Sequence, residues 1–268
     1  MSKTLKKAIW EFKTALLHSF GRITVHNRMN PSFLIIGTQK GGTSSLFYYL
    51  KFHPQIKRPI KKELQYFNIN YNKGLNWYLS HYPSRSNNFI TGEASPDYLF
   101  HPDSPKRVHD LYPNIKLIAL LRNPIERAYS AYQMNKRLGI DPRGTFQEAI
   151  NYELNKLAID NESYSNDRHN YYYLERGKYA KQLSVWLDFF SKNQIIVLKS
   201  EDLFNKTSSE LLKVYNFLKI DQILPSSFTP MNVGRYSPIS ENLSIDLFEY
   251  YKDDLNKLKE NWNIEFTF

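Results

Sequence analysis

Cysteine is absent from the 268 residues, which excludes disulfide staples and thiol nucleophiles. No stretch approaches the ~20 apolar residues needed to span a bilayer. The amino-terminal end lacks the uninterrupted apolar core of about 7–15 residues and the small-residue cleavage site of a secretory signal. These absences lead to the expectation of a cytoplasmic protein. Internal repeats and low-complexity tracts are missing too, and acids are in short supply: 26 Asp and Glu stand against 36 Lys and Arg, a formal net charge of +10. Such a surface attracts anions. Charge alone does not choose among a phosphorylated nucleotide, a polyanionic glycan, nucleic acid and an acidic membrane.

What is present fits one α/β domain. Hydrophobic residues make up 41% of the chain, with 20 Tyr and 17 Phe, enough for a large core. The first 28 residues carry six Lys or Arg and a single acid, Glu11, with Leu5, Ile9, Phe12 and Leu16 at helical spacing. Residues 1–30 therefore read as a basic amphipathic arm, able to touch a membrane surface, a partner or its own domain. The domain proper is expected over 31–268.

Four apolar runs predict strands: 32–37, 89–92, 115–121 and 194–198. A helix is expected from Thr43 to Lys51, another opened by Pro124, and one from Tyr179 to Phe190 with Leu183, Trp186, Leu187 and Phe190 on its inner face. Residues 151–170 read as a mobile polar excursion. A long loop over 229–240 precedes a last helix from about Leu243 to Lys259. Strands alternating with helices predict a P-loop-like, doubly wound parallel sheet flanked by helices.

The strongest local signal is Gly37-Thr-Gln39-Lys40-Gly41-Gly42-Thr43-Ser44, at the turn from strand to helix. Glycines let backbone N–H groups approach an anion, and the helix N-terminus adds a favourable dipole. A nucleoside triphosphatase would follow Gly42 with lysine, where Thr43 stands. It would also end the neighbouring strand in an acid to hold Mg²⁺, where Arg122 stands. Arginine grips phosphate and does not bind metal. The site reads as one that handles phosphate with donors alone, no metal being required.

Two segments then carry a resemblance. Phe33–Leu46 resembles the 5′-phosphosulfate loop of sulfotransferases that use 3′-phosphoadenosine 5′-phosphosulfate (PAPS). Leu121-Arg122-Asn-Pro-Ile-Glu-Arg-Ala-Tyr-Ser130-Ala-Tyr132 resembles their 3′-phosphate motif. The resemblance implies the sulfotransferase fold, with PAPS as co-substrate and 3′-phosphoadenosine 5′-phosphate (PAP) as product. It implies cofactor contacts from Gln39, Lys40, Gly41, Gly42, Thr43, Ser44, Arg122 and Ser130, and Lys40 as a catalytic residue. Gly177-Lys-Tyr179 resembles a further common segment and adds Tyr179. Asn232-Val-Gly234-Arg235-Tyr236 resembles a late cofactor loop and adds Gly234 and Arg235, although Val233 replaces its lysine.

Lys62-Glu63-Leu-Gln-Tyr-Phe67 and Gly92-Glu93-Ala-Ser-Pro-Asp-Tyr98 resemble the heparan sulfate N- and 3-O-sulfotransferase branch and its bacterial relatives. There the glutamate matching Glu63 acts as catalytic base. Glu93 reads as positioning backbone or substrate, His53 as a structural turn residue. Ala94 stands where that branch carries lysine, and Gln182 where some relatives carry histidine, so the branch's acceptor does not transfer. The expected acceptor is a glycan, for which Lys57–Lys62 and Lys106-Arg107 offer positive charge, or a small metabolite; nucleic acid is not expected. A cytoplasmic glycan sulfotransferase points to a bacterium. A P-loop kinase, a polyanion-binding protein and a sulfotransferase that binds without transferring are the rival readings.

Overall fold

The protein is described from a computed structural model covering residues 25–160, 171–229 and 239–268. In chain order the main elements are β1 (Phe33–Gly37), α1 (Thr43–Leu50), α2 (Gly74–Leu79), β2 (Gly92–Ala94), α3 (Ser104–Leu111), β3 (Lys116–Leu121), α4 (Pro124–Arg137), α5 (Phe146–Asp160), α6 (Tyr179–Leu187), β4 (Ile195–Lys199), α7 (Ser200–Asn205), α8 (Thr207–Leu218) and α9 (Glu241–Trp262). The strands form one parallel sheet in the order β2-β1-β3-β4.

The uninterrupted apolar strands follow from burial on both faces. Alternation divides their side chains between two cores. Leu34, Ile36, Leu117, Ala119 and Leu121 face a core shared with Tyr78, Tyr98 and Trp186. Phe33, Ile35, Ile118, Leu120 and Leu198 face another, shared with Leu46, Tyr49, Leu211 and Val214. A third cluster joins α4, α5 and α9 through Ile125, Phe146, Ile150, Leu247 and Tyr251.

Several expectations shift. The second strand is Gly92–Ala94, not 89–92: Phe89 is exposed and Ile90 makes only an isolated bridge to Ile56. Residues 151–160 complete α5, because Ala149, Ile150 and Glu153 are buried; 161–170 lie outside the described residues. Helix α6 stops at Leu187, which is exposed, while Leu183, Trp186 and Phe190 are core. The last helix runs longer, from Glu241 to Trp262. Arg28 and Met29 already belong to the domain: Arg28 Nη1 donates to the Tyr82 carbonyl at 3.0 Å and Met29 N to Pro83 O at 2.9 Å. Residues 1–24 of the arm lie outside the described residues, and among those described no helix is long and apolar enough to cross a membrane.

Candidate functional site

In a parallel sheet of this order the chain leaves β1 toward β2 and leaves β3 toward β4, in opposite directions, so a crevice opens between the carboxyl ends of β1 and β3. The two phosphate motifs follow those two strands. The loop after β1 is pinned to β3 by Thr38 N, which donates to Leu120 O at 2.8 Å. Gly41 is required there: a Cβ would lie 2.4 Å from that same carbonyl oxygen. Gly42, at φ +90°, precedes α1 in the left-handed region, where a side chain is disfavoured. No side chain caps α1, so its leading amides keep their capacity to bind an anion. Helix α4, by contrast, spends its own end on Asn123, whose Oδ1 accepts from the amides of Ile125 at 3.0 Å and Glu126 at 3.2 Å.

Helix α4 brings the motifs together. Arg122 donates through Nη2 to Glu126 Oε2 at 2.7 Å. Ser130, buried, lies one turn beyond Glu126, and Met134 one turn further, so the three share one stripe. At the far end of that stripe Lys40 Nζ contacts Met134 Sδ at 3.9 Å. Arg122 thus meets one end of this stripe and Lys40 the other, with Ser130 between them. Gln39 and Ser44 are half-buried beside them and Thr43 is buried.

Tyr179 is tied to the segment after β3. Its ring is fully buried, and its hydroxyl donates to the backbone carbonyl of Arg122 at 2.8 Å. Glu201 accepts from Asn123 N and Thr267 O from Asn123 Nδ2, each at 2.9 Å. Three anchors therefore fix the two residues that follow β3. Glu201 was not singled out by sequence reasoning; an acid after the fourth strand carries no local signal.

Glu63 lies on the 61–67 turn, its carboxylate 41% exposed and paired through Oε1 with Lys62. That turn is held by the segment after β2, which also bonds to β1: Ser95 N donates to Ile35 O at 3.1 Å and Leu99 N to Ile36 O at 2.8 Å. Glu93 is buried; burial pushes its carboxyl above the usual range, opposed by hydrogen bonds from Tyr98, Ser95 and the Leu64 amide. The reading of Glu93 as a backbone-positioning group matches this geometry. Ala94 is buried within β2, and Gln182 Nε2 is spent on the carbonyls of Glu175 and Lys178.

His53 is a turn residue: Nε2 bonds to Asp221 O at 2.7 Å and Nδ1 accepts from Gln55 N. Lys106 and Arg107, expected to offer positive charge to an acceptor, are each matched by an acid one turn away. Lys106 pairs with Asp110 and Arg107 with Asp103, and Arg107 also donates to the carbonyls of Phe67 and Asn68. Gly234 and Arg235 lie outside the described residues. Among the described residues no cluster of three or more His, Asp or Glu is placed to hold a metal.

Known proteins share this fold. The family described as "Sulfotransferase domain" matches residues 30–245. The membrane-associated sulfotransferase kil1 of Dictyostelium discoideum is 28% identical, over 88% of this chain and 66% of its own length. Human heparan sulfate glucosamine 3-O-sulfotransferase 3B1 is 32% identical, over 72% of this chain and 47% of its own. The solved sulfotransferase of Alicyclobacillus acidocaldarius superposes with a TM-score of 0.76 at 27% identity, covering 89% of this chain and 98% of that one. The chain thus spans less than two thirds of the length of the curated relatives cited.

Proposed function

The chain belongs to the sulfotransferase domain family, and on that premise we propose that it moves a sulfuryl group from PAPS to a hydroxyl or amine of an acceptor. The observation that carries this is the stripe on α4, which runs from Arg122 past Ser130 to Lys40, the residue that leads into the uncapped start of α1 at the sheet's switch point. A phosphosulfate needs donors at two separate phosphates, and the residues present fit: one guanidinium, one ammonium, hydroxyls and leading helix amides.

In this reading Arg122 and Ser130 hold the 3′-phosphate. Lys40 and the amides after Gly41 neutralise the charge that develops on the departing 5′-phosphate oxygen. Glu63 takes the proton of the attacking hydroxyl or amine through Oε2, the oxygen that Lys62 does not occupy. Tyr179 acts through the Arg122 backbone rather than on the nucleotide. Gly234 and Arg235 complete the phosphate site by resemblance alone. No step calls for a metal.

Relatives named for heparan sulfate favour a glycan acceptor, with a small metabolite as the rival; Ala94 argues against heparan sulfate itself. The basic amphipathic arm, and a relative named as membrane-associated, support peripheral membrane contact.

Calorimetric titration with PAP in metal-free buffer, with ATP as control, tests the reading. Binding of PAP that Arg122→Ala weakens strongly, with ATP weak, supports it. No PAP binding, or Mg²⁺-dependent preference for ATP, returns the chain to the kinase or polyanion-binding alternatives.

A further inference from the structure

Glu63 and Gln65 both have left-handed backbones, with φ of 61° and 50°. Leu64 between them is buried. Two such residues in three are unfavourable for side chains with a Cβ and persist only where the surroundings hold them. What holds them is specific. Three successive amides of the turn donate to three side chains of one short segment: Leu64 N to Glu93 Oε2 at 3.1 Å, Gln65 N to Ser95 Oγ at 3.0 Å, and Tyr66 N to Tyr98 Oη at 2.8 Å.

The three acceptors are themselves joined. Ser95 Oγ donates to Glu93 Oε2 at 2.8 Å and Tyr98 Oη to Glu93 Oε1 at 2.7 Å. Glu93 is the hub, fully buried, and among the described residues it makes no salt bridge. A buried carboxylate without a cation is costly unless hydrogen bonds satisfy it. Its donors are Ser95 and Tyr98 of the clamp, the Leu64 amide of the turn that carries Glu63, and the buried hydroxyl of Tyr78.

The clamp is also tied to the phosphate loop. Ser95 and Leu99 bond to the carbonyls of Ile35 and Ile36, the last residues of β1 before Gly37. A Cβ on Gly37 would strike Leu99 at 2.5 Å, so the two segments are closely packed. Strand β1 is therefore the common base of Lys40 and of the turn bearing Glu63.

We propose that Glu93, Ser95 and Tyr98 are positioning residues for Glu63, holding its turn in register with the phosphate loop so that the base faces the sulfur from the side opposite the leaving oxygen. This rests on Glu63 being the base. Glu93 does not itself exchange a proton with the acceptor, since it is sealed from solvent.

The test uses the full chain with PAPS, in single turnover, with water as the acceptor. The water oxygen bonds to sulfur, the bond from sulfur to the phosphate oxygen breaks, the proton passes to Glu63, and PAP and sulfate are released. Tyr98→Phe and Ser95→Ala delete one hydroxyl each and keep the packing. Each is expected to lower the rate tenfold or more, leave PAP affinity within twofold, and speed hydrogen exchange at the amides of 64–66. Glu93→Gln, whose amide oxygen can still accept from Leu64 and Ser95, retains more activity than Glu93→Ala.

The decisive readout is a double-mutant cycle. In a Glu63→Gln background, Tyr98→Phe costs nothing further if it acts through Glu63. Additive losses, unchanged exchange at 64–66, or a Tyr98→Phe rate equal to wild type while Glu63→Gln is impaired would each overturn the positioning role and leave the base assignment intact. A Glu63→Gln variant as fast as wild type sinks the base assignment itself.

Discussion

Glu126 holds the Arg122 guanidinium at 2.7 Å while itself remaining 60% exposed. The residue expected to grip the 3′-phosphate is therefore already aimed along the α4 stripe, by a partner that gives it up cheaply. Exposed pairs of this kind are worth under ~1 kcal/mol, whereas a charged hydrogen bond to phosphate contributes about 1.5–3 kcal/mol.

Arg122→Ala is therefore expected to weaken PAP binding by roughly 30-fold, about 2 kcal/mol. Glu126→Gln should change it by less than about fivefold, toward tighter binding, because a competing carboxylate is removed. Calorimetry at fixed ionic strength checks both. Equal losses in the two variants would mean that the ion pair, not the phosphate contact, is what Arg122 provides.

Lys40, proposed to meet the charge that develops on the leaving group, sits at φ 68° in the loop after β1. Lys40→Ala is expected to lower the transfer rate by about 10²–10³-fold, with a smaller effect on PAP affinity. Lys40→Arg should not restore the rate, since a planar guanidinium does not replace a compact ammonium. Single-turnover rates with PAPS, measured beside PAP titrations, separate the two effects.

Gly41→Ala places a methyl 2.4 Å from Leu120 O. That atom is backbone of the central strand and cannot swing away, so overpacking should cost about 1–3 kcal/mol. A fall in Tm of several degrees, together with loss of PAP binding, is the expected pair of results. An unchanged Tm would show that the loop is not pinned to β3 as described.

Glu153 accepts the amides of Tyr173 and Leu174 at 2.7 Å and of Glu175 at 2.9 Å, and burial pushes its carboxyl up to about 7. Its folded value lies above the unfolded one, so the folded state binds the proton more tightly. This contribution is fully present below about pH 4.5 and is lost as pH rises toward 7. Relative to Glu153→Gln, wild type should lose on the order of 3 kcal/mol across that window. Urea unfolding of both proteins at pH 5 and pH 7.5 measures it; a constant gap would refute the assignment.

The parts read correctly from the sequence are local ones. β1, the glycine loop and α1 form a continuous strand–turn–helix, so backbone conformation and apolar run fall within a dozen neighbouring residues. The same holds for β3, Arg122 and Pro124. The second strand was misplaced because Phe89 is apolar yet lies at the surface beside Lys57, whose Nζ sits 4.3 Å from its ring centre, while Ile90 packs against the core from outside the sheet. Helix α5 was missed because its polar sequence conceals Glu153, whose burial is explained only by amides 20 to 22 residues away.

By itself the sequence determined that glycines, a lysine and an arginine follow two strands, residue types that in that order suit a phosphate and leave few other chemistries open. Only the tertiary structure decided how they meet. Strand pairing set Glu63 and Lys40 on a common base, helical periodicity put Glu126, Ser130 and Met134 on one stripe between Arg122 and Lys40, and packing tied the Tyr179 hydroxyl to the Arg122 carbonyl. These relations join residues tens of positions apart, and no local pattern encodes which of two buried neighbours a side chain will reach. The fold selects that partner, because hydrogen bonds of similar strength are open to every polar group until the packing of the core removes all but one.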